Sequence, residues 1–138
     1  MGLFLLLFSV YSCDIRDKEC DGICTEEYRT IVVKIVDTEG DPVALDDFQV
    51  FIAGTNREIT ITPDAQTFAL MQQHGSYPLF SDKFVPEFAQ QQLDLVFTGI
   101  LDGQEIVSEA YKVGADCCHV FLVSGNVGLQ VDLPDSTE

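Results

Sequence analysis

Apolar and polar side chains alternate with a period of two along most of the chain after Tyr28, and this alternation constrains the fold more than any other feature. In the run TIVVKIVD, Ile31, Val33 and Ile35 fall on one face and Lys34 falls on the other. Such alternation is typical of strands with one buried face. Turn-forming residues interrupt it at intervals of about ten residues, which predicts a single all-β sandwich of about seven short strands over residues 28–138.

The remaining strands follow from the same pattern. Phe48 and Val50 point inward in FQVFIA, and Leu95 and Phe97 point inward in LDLVFTGIL. Asp-Gly readily adopts the positive φ values of tight hairpins, so Asp102-Gly103 predicts a turn into the run QEIVSEAYKV. Further strands are predicted at EITIT, at residues 77–81, at CHVFLV and at GLQVDL, with one helical turn within residues 86–92. The run CHVFLV is apolar on both faces, which predicts a central or covered strand.

Residues 64–86 form the longest stretch without a clear period. This stretch carries several large side chains between polar ones: Phe68, Met71, His74, Tyr77, Phe80 and Phe84. Long loops on a rigid scaffold are frequent ligand sites, which makes the stretch a candidate binding loop. The expected alternative is that its aromatic side chains fold over and complete the core.

The N-terminal segment differs sharply from the rest of the chain. Residues 1–12 contain no charged side chain, and their apolar stretch is much shorter than the roughly 20 residues that a spanning helix needs. The length suits the apolar part of a secretory signal peptide. Val10 and Ser12 before Cys13 resemble the lipobox of bacterial lipoproteins, which implies cleavage after Ser12 and lipidation of Cys13. A plain cleaved signal and a buried N-terminal strand are the alternatives.

The charge balance excludes several partners. The chain has 23 acidic and 7 basic residues, a formal net charge of −16. Such a protein repels nucleic acid and anionic lipid headgroups, so neither is an expected partner. Residues 13–27, the candidate lipidated cysteine followed by a charged aperiodic run, are interpreted as an acidic tether between a membrane and the domain. The expected partners are the membrane, through the lipid, and an envelope protein or a glycan.

Five cysteines leave an odd thiol unless Cys13 is lipidated. The other four, Cys20, Cys24, Cys117 and Cys118, then allow three disulfide connectivities, of which the bridge between the two adjacent residues is the most strained. Neighbouring side chains in an extended strand point to opposite faces, so one cross-bridge between the two pairs is more secure than two. The alternative is a zinc or copper site, or a redox site, that uses the four cysteines with His119.

No nucleophile elbow, phosphate loop or zinc-protease motif occurs in the sequence, so we expect a non-enzymatic protein without a cofactor. Asp37, Glu39 and Asp41 alternate around Gly40, and oxygen-rich turns of this kind can bind calcium. The alternative for this cluster is an ordinary hairpin turn, because Asp, Gly and Pro all favour turns.

A strand that ends in Asp, a Gly-x-Pro turn and a second strand after a hydrophobic residue resemble the start of prealbumin-like, carboxypeptidase-regulatory-like domains. The matching residues here are Asp37, Gly40, Pro42, Val43 and Val50. Together with the late segments DCCHV and VSG, the chain resembles small envelope lipoproteins of the Bacteroidetes type, over most of residues 24–133. The resemblance implies an Ig-like or prealbumin-like sandwich in the cell envelope, and it implies no particular activity.

Overall fold

The computed structural model describes Cys20 and residues 22–134. The candidate signal segment 1–12 and the lipidation candidate Cys13 therefore lie outside the described residues. The described part contains seven strands: β1 (Thr30–Val36), β2 (Asp47–Ile52), β3 (Ser76–Ser81), β4 (Gln91–Leu101), β5 (Gln104–Ala115), β6 (Val120–Ser124) and β7 (Gly128–Gln130). It also contains helix α1 (Ala65–His74), the 3₁₀ turn Asp82–Phe84 and helix α2 (Val85–Phe88).

The strands form two sheets, in the orders β3-β1-β7 and β2-β4-β5-β6. Neighbouring strands run antiparallel except β1 and β7, which run parallel. Side chains from both sheets share one hydrophobic core. The expected β-rich architecture and strand number are confirmed, and the arrangement is consistent with a β-sandwich.

The core consists of the side chains that the alternation placed inward. Val33, Ile35, Val50, Leu95 and Phe97 are all fully buried. Burying one such side chain stabilises the fold by about 1.5–3 kcal/mol, so these positions, rather than the polar face, hold the two sheets together.

The turn between β4 and β5 is the predicted hairpin. Asp102 and Gly103 have φ values of 51° and 74°. Two successive positive φ values match the twist of the flanking strands. The Asp-Gly signal therefore located this turn correctly.

Within residues 64–86, the predicted strand at residues 77–81 is confirmed as β3, but the expectation that the rest of the stretch is irregular is wrong. Asp64 caps α1 because its carboxylate accepts the backbone N–H of Thr67 at 2.7 Å, and Gly75 ends the helix at a φ of 62°. Strand β3, the 3₁₀ turn and α2 follow directly. Helix α1 buries no residue completely and packs on the core only through Phe68 and Met71, so its apolar stripe is narrow and hard to recognise in the sequence.

Two strand predictions also need correction. The run EITIT forms an isolated bridge, Phe51 to Glu58, and one further backbone bond from Ile59 to Val50, rather than a full strand. The run CHVFLV contributes β6, which lies at the edge of its sheet instead of at the centre. After Val120, every residue of β6 is exposed.

No helix among Cys20 and residues 22–134 is long and apolar enough to cross a membrane.

Candidate functional site

Two disulfides fasten the segment before β1 to the turn between β5 and β6. Cys20 bonds to Cys117 and Cys24 bonds to Cys118, with Cα–Cα distances of 5.3 Å in both pairs. Hydrogen bonds to neighbouring side chains reinforce them. We call this region the clasp, and it comprises Cys20, residues 22–29, Ser81, Asp82 and residues 116–119.

The predicted disulfides between the two cysteine pairs are confirmed, and both cross-bridges form although only one was considered secure. The argument against the second bridge placed Cys117 and Cys118 on an extended strand, but β5 ends at Ala115 and residues 116–119 form a tight turn. The backbone N–H of Asp116 donates to the carbonyl of His119 across this turn at 3.0 Å. Because the backbone bends here, the two adjacent cysteines can both reach the same short segment.

The clasp also changes the predicted extent of the tether. Residues 13–27 were expected to form a tether, yet two residues within this range, Cys20 and Cys24, are bonded covalently to the domain. Tyr28 adds a hydrogen bond of 3.0 Å between its hydroxyl and that of Ser81. Any tether to Cys13 is therefore shorter than the predicted residues 13–27.

His119 lies at the centre of the clasp, and its side chain is 9% exposed. Its Nδ1 lies 2.7 Å from Oδ2 of Asp82, and its Nε2 lies 2.9 Å from Oγ1 of Thr25. Asp82 also accepts the backbone N–H groups of Arg29 at 2.9 Å and Val120 at 2.8 Å. One carboxylate thus joins the start of β1, the end of β3 and the start of β6.

Hydrogen bonds lower the pKa of two aspartates of the clasp, Asp82 and Asp116. Burial of Asp82 opposes ionisation, but the bonds from His119, Arg29 and Val120 outweigh it and hold the pKa of Asp82 below its usual value. The backbone N–H groups of His119 and Cys118 lower the pKa of Asp116 in the same way.

The order Thr25, His119, Asp82 resembles the nucleophile, base and orienting acid of a hydrolytic triad. Such a triad needs free N–H donors for the developing oxyanion. The N–H groups of Cys118 and His119 instead both donate to Oδ1 of Asp116, at 2.7 Å each. These two N–H groups are therefore not available to an oxyanion, and Asp82 joins separate segments of the chain through its hydrogen bonds.

The alternative metal sites, at the cysteines with His119 and at the Asp37–Asp41 turn, do not form among the described residues. The four cysteines are present as disulfides, so they offer no thiolate to zinc or copper, and both ring nitrogens of His119 are already engaged. In the candidate calcium turn, Oδ1 of Asp37 accepts the backbone N–H groups of Glu39 and Asp41, at 2.9 Å each. Across Cys20 and residues 22–134, no group of three His, Cys, Asp or Glu side chains is placed to hold a metal ion.

The aromatic side chains of the candidate binding loop enter the core. Tyr77 and Phe80 are fully buried, and Phe84 stacks on Phe80 with ring centroids 5.1 Å apart. Phe68 stacks on Phe48 at 6.3 Å. His74 is exposed at the end of α1, so the structure does not bring it into one site with these rings. The expected alternative, in which the aromatic residues complete the core, is the better description.

The hydroxyl of Tyr77 forms hydrogen bonds to the backbone of the segment between β1 and β2. It donates to the carbonyl of Val43 and accepts the N–H of Leu45, both at 2.7 Å. Burial raises the pKa of this hydroxyl, so it remains a neutral donor.

The distal end of the domain, opposite the clasp, carries acidic turns. Asp37–Asp41 follows β1, and Asp46 accepts the N–H of Asp102 at 2.7 Å. Between these turns lies a cleft of about 510 Å³, whose lining includes Leu101 and Asp132. The acidic residues that line this cleft are far apart in the sequence, so the alternation of apolar and polar side chains does not predict the cleft.

Sequence reasoning did not identify Thr25 or Asp82. Thr25 lies 94 residues from His119 and Asp82 lies 37 residues from it, so no local spacing connects them.

Comparisons of the chain with protein-family models, with curated proteins and with solved structures find no significant match.

Proposed function

We propose that this protein is a lipid-anchored, non-enzymatic component of a bacterial cell envelope, which acts as a binding or structural accessory module. Cys13 is the proposed lipidation site, residues 1–12 the proposed signal peptide, and the domain is of the Ig-like or prealbumin-like type. The observation that supports this proposal best is the clasp, because it turns the segment next to the proposed anchor into a rigid part of the domain.

The clasp sets the distance between the anchor and the domain. Seven peptide units separate Cys13 from Cys20, and a fully extended chain of that length spans at most about 25 Å. Since Cys20 is bonded to Cys117, the clasp end would face the membrane and the acidic distal end would face away from it. A net charge of −16 disfavours contact with anionic headgroups, so the lipid would supply the attachment.

Two further observations support this assignment. Disulfides persist in oxidising compartments, and the two bridges suit an exported protein. The N–H groups of Cys118 and His119 both donate to Asp116 and are not free to bind an oxyanion, which supports a non-enzymatic role.

Metabolic labelling with palmitate tests the anchor. We expect the wild-type chain to carry label and to fractionate with membranes, and the Cys13→Ala variant to lose both properties. Cys24→Ala is the matched control, because it removes another cysteine and should keep the label. Unchanged labelling and fractionation of Cys13→Ala would overturn the proposal.

A further inference from the structure

The exposed apolar side chains of the domain gather near its clasp end. Seven large hydrophobic side chains are exposed among the described residues, and six of them lie in the clasp or within four residues of it along the chain: Ile23, Tyr28, Val32, Phe121, Leu122 and Val123. The seventh, Leu70, lies on α1. Exposed apolar groups that gather on one part of a protein surface mark a site of interaction.

Exposed acidic side chains gather at the opposite end. The distal turns and the cleft between them carry five exposed carboxylates that form no salt bridge with a described basic side chain: Glu39, Asp41, Asp46, Asp102 and Asp132. No basic residue lines the described part of this cleft. The domain is therefore polarised, with apolar groups toward the clasp and uncompensated charge at the distal end.

Most acidic side chains of the clasp have partners within the protein. Glu27 lies 3.3 Å from the guanidinium of Arg29. Asp82 and Asp116 each accept two backbone N–H groups. Among the four acidic residues described in the clasp, Glu26 alone has no such partner, so few unpartnered carboxylates would face a neutral surface placed against this end.

Ile23 is the most exposed of the apolar side chains, at 101%. It lies between Cys20 and Cys24, and disulfides fix both of these residues to the turn between β5 and β6. The loop that carries Ile23 is thereby attached at both ends to the domain, outside the shared core. A side chain presented in this way loses little conformational freedom when it enters an apolar phase, which favours that contact.

The chain before the clasp determines what this end meets. With the proposed lipid at Cys13, the seven peptide units to Cys20 keep the clasp end within at most about 25 Å of the membrane. A second contact with the same membrane is then favoured by a high effective concentration. We propose that the clasp end docks on the bilayer surface, with Ile23 inserted among the lipid chains and the Tyr28 ring at the level of the headgroups. This inference rests on the proposed anchor and adds a contact between protein and lipid to it.

The expected strength of this contact suits a tethered protein. Burying one isoleucine side chain shifts a contact equilibrium by roughly tenfold to a hundredfold. That shift is too small to hold a free protein on a membrane, but it is enough to orient one that is already attached. The docked orientation also keeps the acidic distal end in water, where its charges are solvated.

The test uses the full chain, acylated in cells and reconstituted in phosphatidylcholine vesicles whose acyl chains carry bromine, which quenches tryptophan fluorescence on contact. The chain contains no tryptophan, so Ile23→Trp introduces a single reporter at an exposed position. We expect its emission to shift to shorter wavelength and to lose intensity relative to vesicles without bromine. Leu70→Trp is the matched control, because it places the same exposed reporter on α1, and it should show neither change.

A second reporter leaves Ile23 in place. Tyr28→Trp should also be quenched by the brominated lipid, because Tyr28 is exposed beside the same loop. Adding Ile23→Ser to this variant removes the inserted side chain and should lower the quenching by up to about tenfold. Adding Leu70→Ser instead is the matched control and should leave the quenching unchanged.

Equal quenching of Ile23→Trp and Leu70→Trp would overturn the proposal, and so would quenching of Tyr28→Trp that does not respond to Ile23→Ser. An emission shift that grows with protein concentration and is insensitive to bromine would assign this surface to contact between proteins and would also overturn it. Palmitate labelling separates the two proposals. A chain without label would overturn the anchor and the docking together, whereas a labelled chain with an unquenched Ile23→Trp reporter would overturn the docking alone.

Discussion

The clasp end and the distal end of the domain both use aspartates to hold backbone N–H groups, but they do so in different surroundings. At the clasp, Asp82 is enclosed by His119 and by the starts of two strands, and two disulfides lie beside it. At the distal end, Asp37 makes similar bonds within one exposed turn. The comparison shows that the same local bond can join distant segments at one end and shape a single turn at the other.

The largest expected effect comes from the disulfides, which only the clasp end has in the described part of the chain. Cys20–Cys117 spans 97 residues, and closing such a loop stabilises the fold by about 4–5 kcal/mol in the chain-entropy model. The second bridge then closes only a small additional ring, worth about 2 kcal/mol. Either bridge alone still closes the long loop, so removing one should lower the free energy of unfolding by about 2 kcal/mol and removing both by about 6–7 kcal/mol.

Urea unfolding of three variants checks this result: Cys20→Ala with Cys117→Ala, Cys24→Ala with Cys118→Ala, and all four substitutions together. The two pairs should give similar, small losses. A loss from one pair that equals the loss from all four would show that the bridges are not nested in the way the structure indicates.

The next effect compares the same substitution at both ends. Asp82→Ala leaves the Nδ1 group of His119 and two backbone N–H groups without their acceptor in a partly buried site, and should cost about 3 kcal/mol. Asp37→Ala removes two bonds in an exposed turn and should cost about 1 kcal/mol. Urea unfolding measures both. Equal losses would mean that the surroundings of the clasp add nothing to the bonds themselves.

The difference between the ends also explains what the sequence could and could not predict. The distal turns and the Asp102-Gly103 hairpin are local, so their residues alone identify them. The inward faces of β1, β2 and β4 follow from alternation for the same reason. The clasp depends on Thr25, Asp82 and His119, which come together only after both sheets have formed, and no spacing in the sequence connects them.

Helix α1 and strand β6 show a second reason why sequence reasoning fails. Alternation and helical periodicity report burial, so they cannot find an element that buries little. Helix α1 has no fully buried residue, and β6 has one, Val120. The apolar side chains of β6 indicated burial within this chain, whereas the structure leaves them exposed at a sheet edge.

The smallest effect separates the charge of Asp82 from its geometry. Its pKa lies below its usual value, so this carboxylate stabilises the fold above about pH 4, and the contribution is lost as the pH falls through the lower pKa of the folded state. Asp82→Asn retains one oxygen acceptor but no ionisable group. The free energy of unfolding should therefore fall less steeply on acidification in this variant than in the wild type.

Because Asp116 also has a lowered pKa and remains present, the slope should become shallower without vanishing. Acidification reduces the overall negative charge of both proteins alike, so the difference between their two curves isolates Asp82. If the two urea-unfolding curves fall in parallel below about pH 4, the hydrogen bonds of Asp82 stabilise the clasp by their geometry and not by the ionisation of the carboxylate.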